Sequence, residues 1–216
     1  MTIMKTPNKR QDNGFTLIEL LVVMAIIVTL AAVGFAAGAA AIKRARMTQA
    51  LNTCTGIESG INRYYDEYGA LPFTGSSSPT VDTGYRTSAS PLDGGTVKTL
   101  TTSIDIITVL MGKEETPTQN TKAVKYVELQ LAKGSPRSQG GSPKGGVSFA
   151  TTSTSIPEAV NDPWGCSYAI YLDYDYSEDI TDPITRSGSV RGRHALCYTL
   201  GQAQNETKPS DIVKTW

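Results

Sequence analysis

The longest hydrophobic pattern in the chain lies near its N-terminus. From Phe15 to Ile42 the residues are almost continuously apolar, and Glu19 is the only charged side chain among them. This run is longer than the roughly 20 residues that an α-helix needs to cross the apolar core of a bilayer. An ionisable side chain inside such a segment costs free energy, so it is expected to have a function. The pattern therefore predicts a membrane-spanning helix with a functional carboxylate at Glu19.

After Ile42 the apolar positions become periodic. Apolar residues recur at steps of three and four with polar residues between them, which is the pattern of an amphipathic helix. These apolar positions are Met47, Leu51, Cys54, Ile57, Ile61, Tyr65 and Tyr68. The first proline after them is Pro72, and Gly69 just before it adds a stop signal. The pattern predicts that one helix begins near Phe15 and that its second half, residues 43–68, packs on a soluble head.

The head, residues 69–216, is polar and rich in Gly, Ser and Thr. Its first part, Thr74 to Thr102, has the composition of a loop. Ser103 then predicts the N-cap of a short helix. The apolar face of that helix would consist of Ile104, Ile107, Leu110 and Met111.

Extended patterns follow in the second half of the head. Lys125 to Leu131 alternates enough to predict a strand, and further strands are predicted at Tyr168 to Tyr174 and at Ala195 to Leu200. Between them, the glycine- and serine-rich stretch from Gly134 to Gly146 predicts a flexible excursion. The fold class expected is α+β, with the long helix packed on a small antiparallel sheet that has long loops.

The charge balance and the chemistry-bearing residues exclude several function classes. The chain has 20 basic and 20 acidic residues, so its net charge gives no reason to expect nucleic acid as a partner. His194 is the only histidine, and no nucleophile elbow, zinc motif or phosphate-binding loop is present. We therefore expect no enzyme, and we expect His194, beside Arg191 and Arg193, to face solvent.

The three cysteines leave two interpretations open. They show neither a Cys-x-x-Cys motif nor metal-ligand spacing. In an oxidising compartment Cys166 and Cys197 would be able to pair within the C-terminal part of the head, which would leave Cys54 alone on the long helix. Alternatively, all three are small buried apolar residues.

The residues before the apolar run form a short basic leader, residues 1–14, with Lys5, Lys9 and Arg10. A cleavable secretory signal has an apolar stretch of only about 7–15 residues, so the longer run here is unlike one. Cleavage between Gly14 and Phe15 would keep the apolar helix in the product. Basic residues also follow the run, so their count does not decide its orientation.

The stretch from Gly14 to Val23, GFTLIELLVV, resembles the processing and assembly signature of type IV prepilins and of the pseudopilins of type II secretion systems. The resemblance implies the type IV pilin fold and a prepilin peptidase that cuts after Gly14 and methylates Phe15. It also implies that the leader stays in the cytoplasm and that the head is exported, as a single-pass protein of the bacterial inner membrane.

The resemblance gives Glu19 a physical role. One helical turn after Phe15, its buried carboxylate would be compensated by the positive N-terminal amine of a neighbouring subunit, which would also set the register between subunits. The alternative is a carboxylate that extends to the nearby lipid headgroups. Gly34 and Gly38 form a GxxxG pattern among alanines, and such small residues let helices approach closely in a filament core.

Two further stretches resemble the major pseudopilins in particular. Arg63 to Pro72 is similar to the end of that family's helix, and Asp162 to Tyr168 is similar to its DPWG-x-x-Y turn. In the second stretch Pro163 and Gly165 would form the turn, and Trp164 would anchor it in the core.

The C-terminus, Ser210 to Trp216, resembles a region that follows a calcium-binding loop in that family. Calcium takes six to eight oxygen ligands, but here only Glu206 and Asp211 supply carboxylates, so Asp211 is a candidate in a poor ligand set. A second acidic group has Glu178 where an EF-hand requires glycine, which favours a solvated acidic hairpin. The group consists of Asp173, Asp175, Glu178 and Asp179.

Together these patterns divide the chain into a cleaved leader (1–14), a transmembrane and filament-core helix (15–42), its amphipathic continuation (43–68) and a periplasmic head (69–216). The function expected is that of a pseudopilus subunit, which assembles with its own copies into a periplasmic filament that drives protein export. Its expected partners are the peptidase, an inner-membrane assembly platform, minor pseudopilins and membrane lipid. The alternatives are a type IV pilin of an extracellular filament, for adhesion, motility or DNA uptake, and a membrane-anchored binding module.

Overall fold

The computed structural model describes residues 15–87, 101–102, 104–134, 143–150, 153–203 and 212–216. The chain divides into two compact units, Met1–Arg44 and Ala45–Trp216. One helix in the described part of the chain, Leu17–Tyr68 (α1), is long and apolar enough to cross a membrane.

The C-terminal end of α1 agrees with the stop signal in the sequence. Gly69 has a φ of +66°, which favours glycine, and its amide donates to the carbonyl of Tyr65 at 2.8 Å.

The second unit contains the end of α1, a short helix and several strands. Within the described residues the elements after α1 are, in chain order, β1 (Thr83–Arg86), β2 (Thr101–Thr102), α2 (Asp105–Leu110), β3 (Gly146–Ala150), β4 (Ser153–Asn161), β5 (Tyr168–Leu172), β6 (Asp179–Thr181), β7 (Ser189–Arg191), β8 (Ala195–Thr199) and β9 (Val213–Lys214). The main sheet has the order β2-β1-β5-β8-β9. Its pairs are antiparallel except β1 with β2, and β3–β4 and β6–β7 form separate antiparallel hairpins.

Alternate residues of β5 point to opposite faces of the sheet, as strand geometry requires. Tyr168, Ile170 and Leu172 join the main core, whereas Ala169 and Tyr171 join a second apolar cluster. The main core also takes fully buried residues of α1 and α2, including Cys54, Ile57, Ile61, Ile106, Ile107 and Leu110. The second cluster contains Tyr198, Leu200, Ile212 and the C-terminal Trp216. The expected α+β architecture, a long helix with a small, largely antiparallel sheet head, is confirmed.

The strands predicted around Tyr168–Tyr174 and Ala195–Leu200 are present, but the strand predicted from Lys125 to Leu131 is wrong. That segment is extended without a regular ladder. Its amides at Tyr126 and Val127 donate to the carbonyl of Leu110 at the end of α2, at 2.8 and 3.2 Å. Because helix α2 satisfies these amides, a strand partner is not required. Only Leu131 forms a β-bridge, to Val147.

The prediction that Thr74–Thr102 is entirely loop is also wrong, because β1 and β2 lie in it. Helix α2 is present, but its N-cap position is Ile104, which makes no side-chain capping bond. Ser103, the expected cap, lies outside the described residues, as does most of the excursion predicted from Gly134 to Gly146.

Candidate functional site

The apolar half of α1 and Phe15, which lies just before it, expose their hydrophobic side chains. Phe15, Leu17 and Phe35 are 85%, 83% and 83% exposed, and the most apolar part of the helix has no buried residues. Soluble monomers rarely expose so large a contiguous apolar surface. The segment therefore needs lipid or other apolar helices around it.

Glu19 lies in the first turn of α1 and closes a capping box with Thr16. The amide and the hydroxyl of Thr16 donate to Oε2 of Glu19 at 2.8 and 2.9 Å, and the amide of Glu19 donates to the Thr16 hydroxyl at 3.3 Å. This reciprocal arrangement satisfies amides that the first turn of a helix leaves without partners. The Thr-x-x-Glu spacing is a sequence signal for this motif, and reading Glu19 only as a membrane carboxylate overlooks it.

Gly34 and Gly38 lie on the exposed part of α1. Among the described residues, a Cβ atom added at either position would have no heavy atom within 4 Å, apart from its own chain neighbours and helix backbone. No described residue therefore requires glycine at either position. Gly14, the residue before the expected cleavage point, lies outside the described residues.

In the head, Asp162 organises the turn that joins β4 to β5. Its carboxylate is fully buried, and Oδ1 accepts the amides of Trp164, Gly165 and Cys166, each at 2.8 Å. Oδ2 accepts the hydroxyl of Thr199 on β8 at 2.8 Å. Burial raises the pKa of Asp162 to about 6, although these hydrogen bonds oppose the rise. The residue thus fastens the turn to the central sheet.

The neighbours of Asp162 in this turn have different roles. Pro163 and Trp164 form the turn itself, and Gly165 follows with a φ of +99°. The expectation that Trp164 anchors the core is wrong, because its side chain is only partly buried and lies in neither of the apolar clusters formed by the described residues. The bonds of Asp162 hold the turn instead.

Thr87, which lies within the stretch that the sequence predicts as loop, is a structural residue that the pattern misses. It is fully buried, and its hydroxyl donates to the carbonyl of Val160 at 2.7 Å and accepts the amide of Tyr168 at 3.0 Å. It therefore joins β4 and β5 just after the end of β1. No signal in the sequence around it indicates this role.

The acidic cluster in the structure has a different membership from the acidic group expected in a hairpin. Asp173 and Asp175 meet Asp82, with ligand atoms within 4.8 Å of one another. Burial, together with the charges of the other two, raises the pKa of Asp82. The oxygens of Asp173 already accept the amides of Ser177 and Glu178, each at 3.0 Å, so this carboxylate shapes the turn.

The remaining calcium candidates lie elsewhere. Asp179, one of the four acids in the expected group, forms an ion pair with Arg191 at 3.4 Å and is not part of the three-carboxylate cluster. Glu206 and Asp211 lie outside the described residues.

The expectation that His194 faces solvent is wrong. Its side chain is 25% exposed, its ring lies 4.5 Å from the ring of Tyr65, and its Nδ1 is 3.5 Å from Oδ2 of Asp173. Next to it, Arg193 forms an ion pair with Glu58 at 2.5 Å. Because Tyr65 and Glu58 belong to α1, the segment before β8 is attached to the head half of the long helix.

All three cysteines are fully buried, as one interpretation of the sequence expects. The other interpretation, a pair of Cys166 with Cys197, is wrong. The β5–β8 register pairs Tyr168 with Thr199, so Cys166 lies beside Gly201, four positions from Cys197 along the chain. Its thiol donates to the carbonyl of Gly201 at 3.6 Å. Four residues of extended chain span about 13 Å, which is too far for a disulfide.

A long N-terminal apolar helix followed by a small, largely antiparallel sheet head is the architecture of the type IV pilin fold. Residues 9–35 match the family model of the prokaryotic N-terminal methylation motif. The motif thus includes Gly14, Phe15 and Glu19.

Relatives with known names extend this comparison. The chain is 39% identical over 64 residues to fimbrial protein EcpC of Eikenella corrodens, which covers 30% of the chain and 42% of that protein. It is 31% identical over 120 residues to type IV major pilin protein PilE1 of Neisseria gonorrhoeae, which covers 56% and 51%. It is also 35% identical over 100 residues to a fimbrial protein of Neisseria meningitidis serogroup B, which covers 46% and 55%. The chain spans about half the length of these curated relatives. No solved structure matches it.

The chain therefore carries an N-terminal methylation motif and is similar to type IV pilins. The three relatives are named as fimbrial and pilin proteins, which agrees with the expectation that the chain is not an enzyme. None of the three is named as a pseudopilin.

Proposed function

We propose that this protein is a structural subunit of a type IV pilin-like filament. The observation that carries the proposal is the methylation motif over residues 9–35, which overlaps the beginning of α1, where the apolar side chains are exposed in the part of the chain that the structure describes. Lipid would cover this surface before assembly, and the helices of other copies would cover it afterwards. Burial of so many apolar side chains is a strong driving force for association.

Glu19 would act in two states. In the membrane-inserted monomer its carboxylate would keep the hydrogen bonds from Thr16 that form the capping box. In the filament it would face the methylated amine of Phe15 of an adjacent subunit. A buried carboxylate is costly without such a countercharge, so the pair would favour one register between subunits. Gly34 and Gly38 would let neighbouring helices approach closely.

Maturation and location follow from the same proposal. A prepilin peptidase would cut after Gly14 and methylate Phe15. The leader would remain cytoplasmic, and an inner-membrane platform would assemble the exported subunits.

A net charge of zero gives no reason to propose that the subunit binds nucleic acid.

The type of filament is a second question, and similarity to type IV pilins favours an extracellular pilus. The second candidate is a pseudopilus of type II secretion with minor pseudopilins as partners. The DPWG sequence from Asp162 to Gly165 and the C-terminal Trp216 favour it. Electron microscopy of cells after mechanical shearing separates the two, because a pilus is released into the sheared fraction whereas a periplasmic pseudopilus stays with the cells.

The first test of the subunit proposal is intact mass spectrometry with N-terminal sequencing of the protein extracted from membranes of cells with an active prepilin peptidase. We expect a chain that begins at N-methylated Phe15. A chain that begins at Met1 or Thr2 would contradict the proposal and favour a membrane-anchored binding module instead.

A further inference from the structure

We infer that the end of the head at which the chain enters it binds the anionic phospholipid headgroups of the membrane that holds the protein. The inference rests on the proposed function, because it requires that the apolar helix is inserted in a membrane. We call this end of the head the membrane-end surface. It consists of Arg46, Leu131, Lys133, Lys144 and Trp164.

The connection of the chain keeps this surface close to lipid. The second unit begins at Ala45, three residues after the apolar run ends at Ile42. Four residues of chain span at most about 14 Å, so Arg46 lies within that distance of the end of the run whatever the orientation of the head. Arg46 is exposed, and its long side chain is able to extend towards the headgroups. Anionic lipid attracts basic residues within about one Debye length, which is about 8 Å at physiological ionic strength.

Hydrogen bonds place two loops beside the same stretch of α1. Gln49, near the beginning of the head part of α1, donates from Nε2 to the carbonyl of Gly145 at 3.3 Å. The amide of Gly145 donates to the carbonyl of Asp162 at 2.8 Å, which attaches the turn between β4 and β5. Lys144 directly precedes Gly145. The lysine, the turn and the first residues of the head therefore meet at one end of the head.

Lys133 and Lys144 lie directly opposite each other. The amide of each donates to the carbonyl of the other, at 2.8 and 2.9 Å, in an isolated antiparallel bridge. Residues that are directly opposite place their side chains on the same face, where two like charges repel. Both lysines are exposed, and neither forms an ion pair with an acid in the part of the chain that the structure describes. A bound phosphate group would relieve this repulsion.

Two acids on the segments that form this surface are engaged elsewhere. Glu128 forms an ion pair with Lys125 at 2.7 Å. Asp162 is fully buried, and its carboxylate accepts from the turn and from Thr199. The surface therefore keeps a positive charge that matches an anionic membrane.

The same surface exposes apolar side chains beside its cations. Leu131 is 70% exposed, two residues before Lys133. Trp164 is only partly buried and belongs to neither apolar cluster of the described residues. Tryptophan is enriched at membrane–water interfaces, because its ring has an apolar body and a polar N–H group. This combination of side chains favours a lipid surface over a soluble acidic partner.

The test uses the full chain reconstituted as one copy per nanodisc, in phosphatidylcholine to which phosphatidylglycerol is added in increasing proportion. Since the chain has two tryptophans, Trp216→Phe leaves Trp164 as the reporter. A lipid with a nitroxide on its headgroup quenches the fluorescence of a tryptophan that approaches it. We expect phosphatidylglycerol to increase the quenching of Trp164, and we expect added salt to reverse the increase.

Charge variants identify the residues responsible. In the Trp216→Phe background, Lys133→Gln combined with Lys144→Gln should raise the proportion of phosphatidylglycerol needed for half of the effect, by about fivefold for each lysine removed. Lys122→Gln combined with Lys125→Gln is the matched control. It removes the same charge from two exposed lysines elsewhere on the head, and it should respond as the background protein does. Equal responses of the two double variants, or quenching that does not depend on phosphatidylglycerol, would overturn the inference.

A second copy of the chain is the other ligand to separate from lipid. One copy per nanodisc removes that ligand, so a response to phosphatidylglycerol there must come from lipid. A change in Trp164 fluorescence that occurs only in vesicles with many copies, and without phosphatidylglycerol, would instead identify an interface between subunits and contradict lipid binding.

Failure of the proposed function has a different signature. A chain that begins at Met1 would contradict maturation as a pilin-like subunit, but the phosphatidylglycerol titration would still decide the lipid surface. An N-methylated Phe15 in a protein whose Trp164 ignores phosphatidylglycerol would overturn the lipid surface alone. A chain that does not remain with the nanodiscs would contradict membrane insertion and both proposals with it.

Discussion

Thr16 and Glu19 hold each other at the beginning of the long helix, with both the amide and the hydroxyl of Thr16 donating to the same carboxylate oxygen at 2.8 and 2.9 Å. In a single chain, the carboxylate that stands out in the apolar run thus already has a local partner. Two explanations for a glutamate at this position, helix capping and pairing with another subunit, can therefore be separated by experiment.

The first prediction concerns Glu19→Ala and Glu19→Gln. Both variants should insert into the membrane and be cleaved after Gly14, since each makes the segment less charged. Glutamine can retain the capping box, because its side-chain oxygen still accepts from Thr16. If the charge pairs with an amine of another subunit, both variants should fail to form filaments, as counted by electron microscopy. Normal assembly of Glu19→Gln would show that capping alone explains the residue.

The second prediction concerns the small residues of the apolar helix. Gly34→Leu and Gly38→Leu should leave the monomer intact, because an added Cβ meets no neighbouring atom of the residues that the structure describes. They should reduce filament assembly, since larger side chains would separate helices that approach closely. Val33→Leu, next to them on the helix and already large, is the control and should assemble. Pelleting of filaments by ultracentrifugation measures the effect, and full assembly of both glycine variants would contradict close packing at these positions.

The third prediction tests which face of α1 supports the head. Ile57→Ala removes a fully buried side chain and should lower the free energy of unfolding by about 2–5 kcal/mol. Leu51→Ala is the matched control, since Leu51 is 40% exposed, and it should cost less than about 1 kcal/mol. Chemical denaturation of the full-length protein in detergent measures both. Similar losses for the two variants would contradict the observed orientation of the helix.

The fourth prediction concerns the buried hydroxyl of Thr87. Thr87→Val would leave the carbonyl of Val160 and the amide of Tyr168 without this partner, at about 1–3 kcal/mol for each group that stays unsatisfied. Thr87→Ser keeps the hydroxyl and should lose much less. Thermal melts of the three proteins make the comparison, and a valine variant as stable as the serine variant would show that the hydroxyl is dispensable.

The fifth prediction is a pH dependence that originates at Asp162. Its pKa in the folded protein is about 6, above the usual 3.8, so the folded state binds this proton more tightly than the unfolded state does. The contribution of Asp162 to the free energy of unfolding is therefore greatest below about pH 4 and falls, by about 3 kcal/mol, as the pH rises to about 6.

Asp162→Asn supplies the reference for this measurement, because asparagine does not titrate and its oxygen can still accept from the turn. The difference in unfolding free energy, wild type minus Asp162→Asn, should decrease between pH 4 and pH 6. A difference that increases over this range would mean that the four hydrogen bonds to the carboxylate outweigh its burial.

Trp164 and His194 have roles in the structure that differ from those predicted by the sequence pattern around them. Trp164 is the largest apolar residue of its turn, yet the buried carboxylate beside it holds the turn. His194 follows two arginines in the sequence, yet it packs against Tyr65 from a distant part of the chain. Backbone amides hold the turn around Trp164, and a residue remote in sequence packs against His194. A local pattern of side chains indicates neither kind of contact.

What the sequence determined by itself is the part of the protein that depends on short-range physics. The length of the apolar run, the period of the amphipathic helix and the glycine that ends it at Tyr68 are all local properties, and the methylation motif is contiguous. The tertiary structure alone decided the partners of the polar head. Strand β1 pairs with β5, Thr87 joins β4 to β5, and Cys166 lies beside Gly201 rather than Cys197. These contacts join residues far apart in the chain, and they depend on the packing of a helix against a sheet whose register local propensities do not specify.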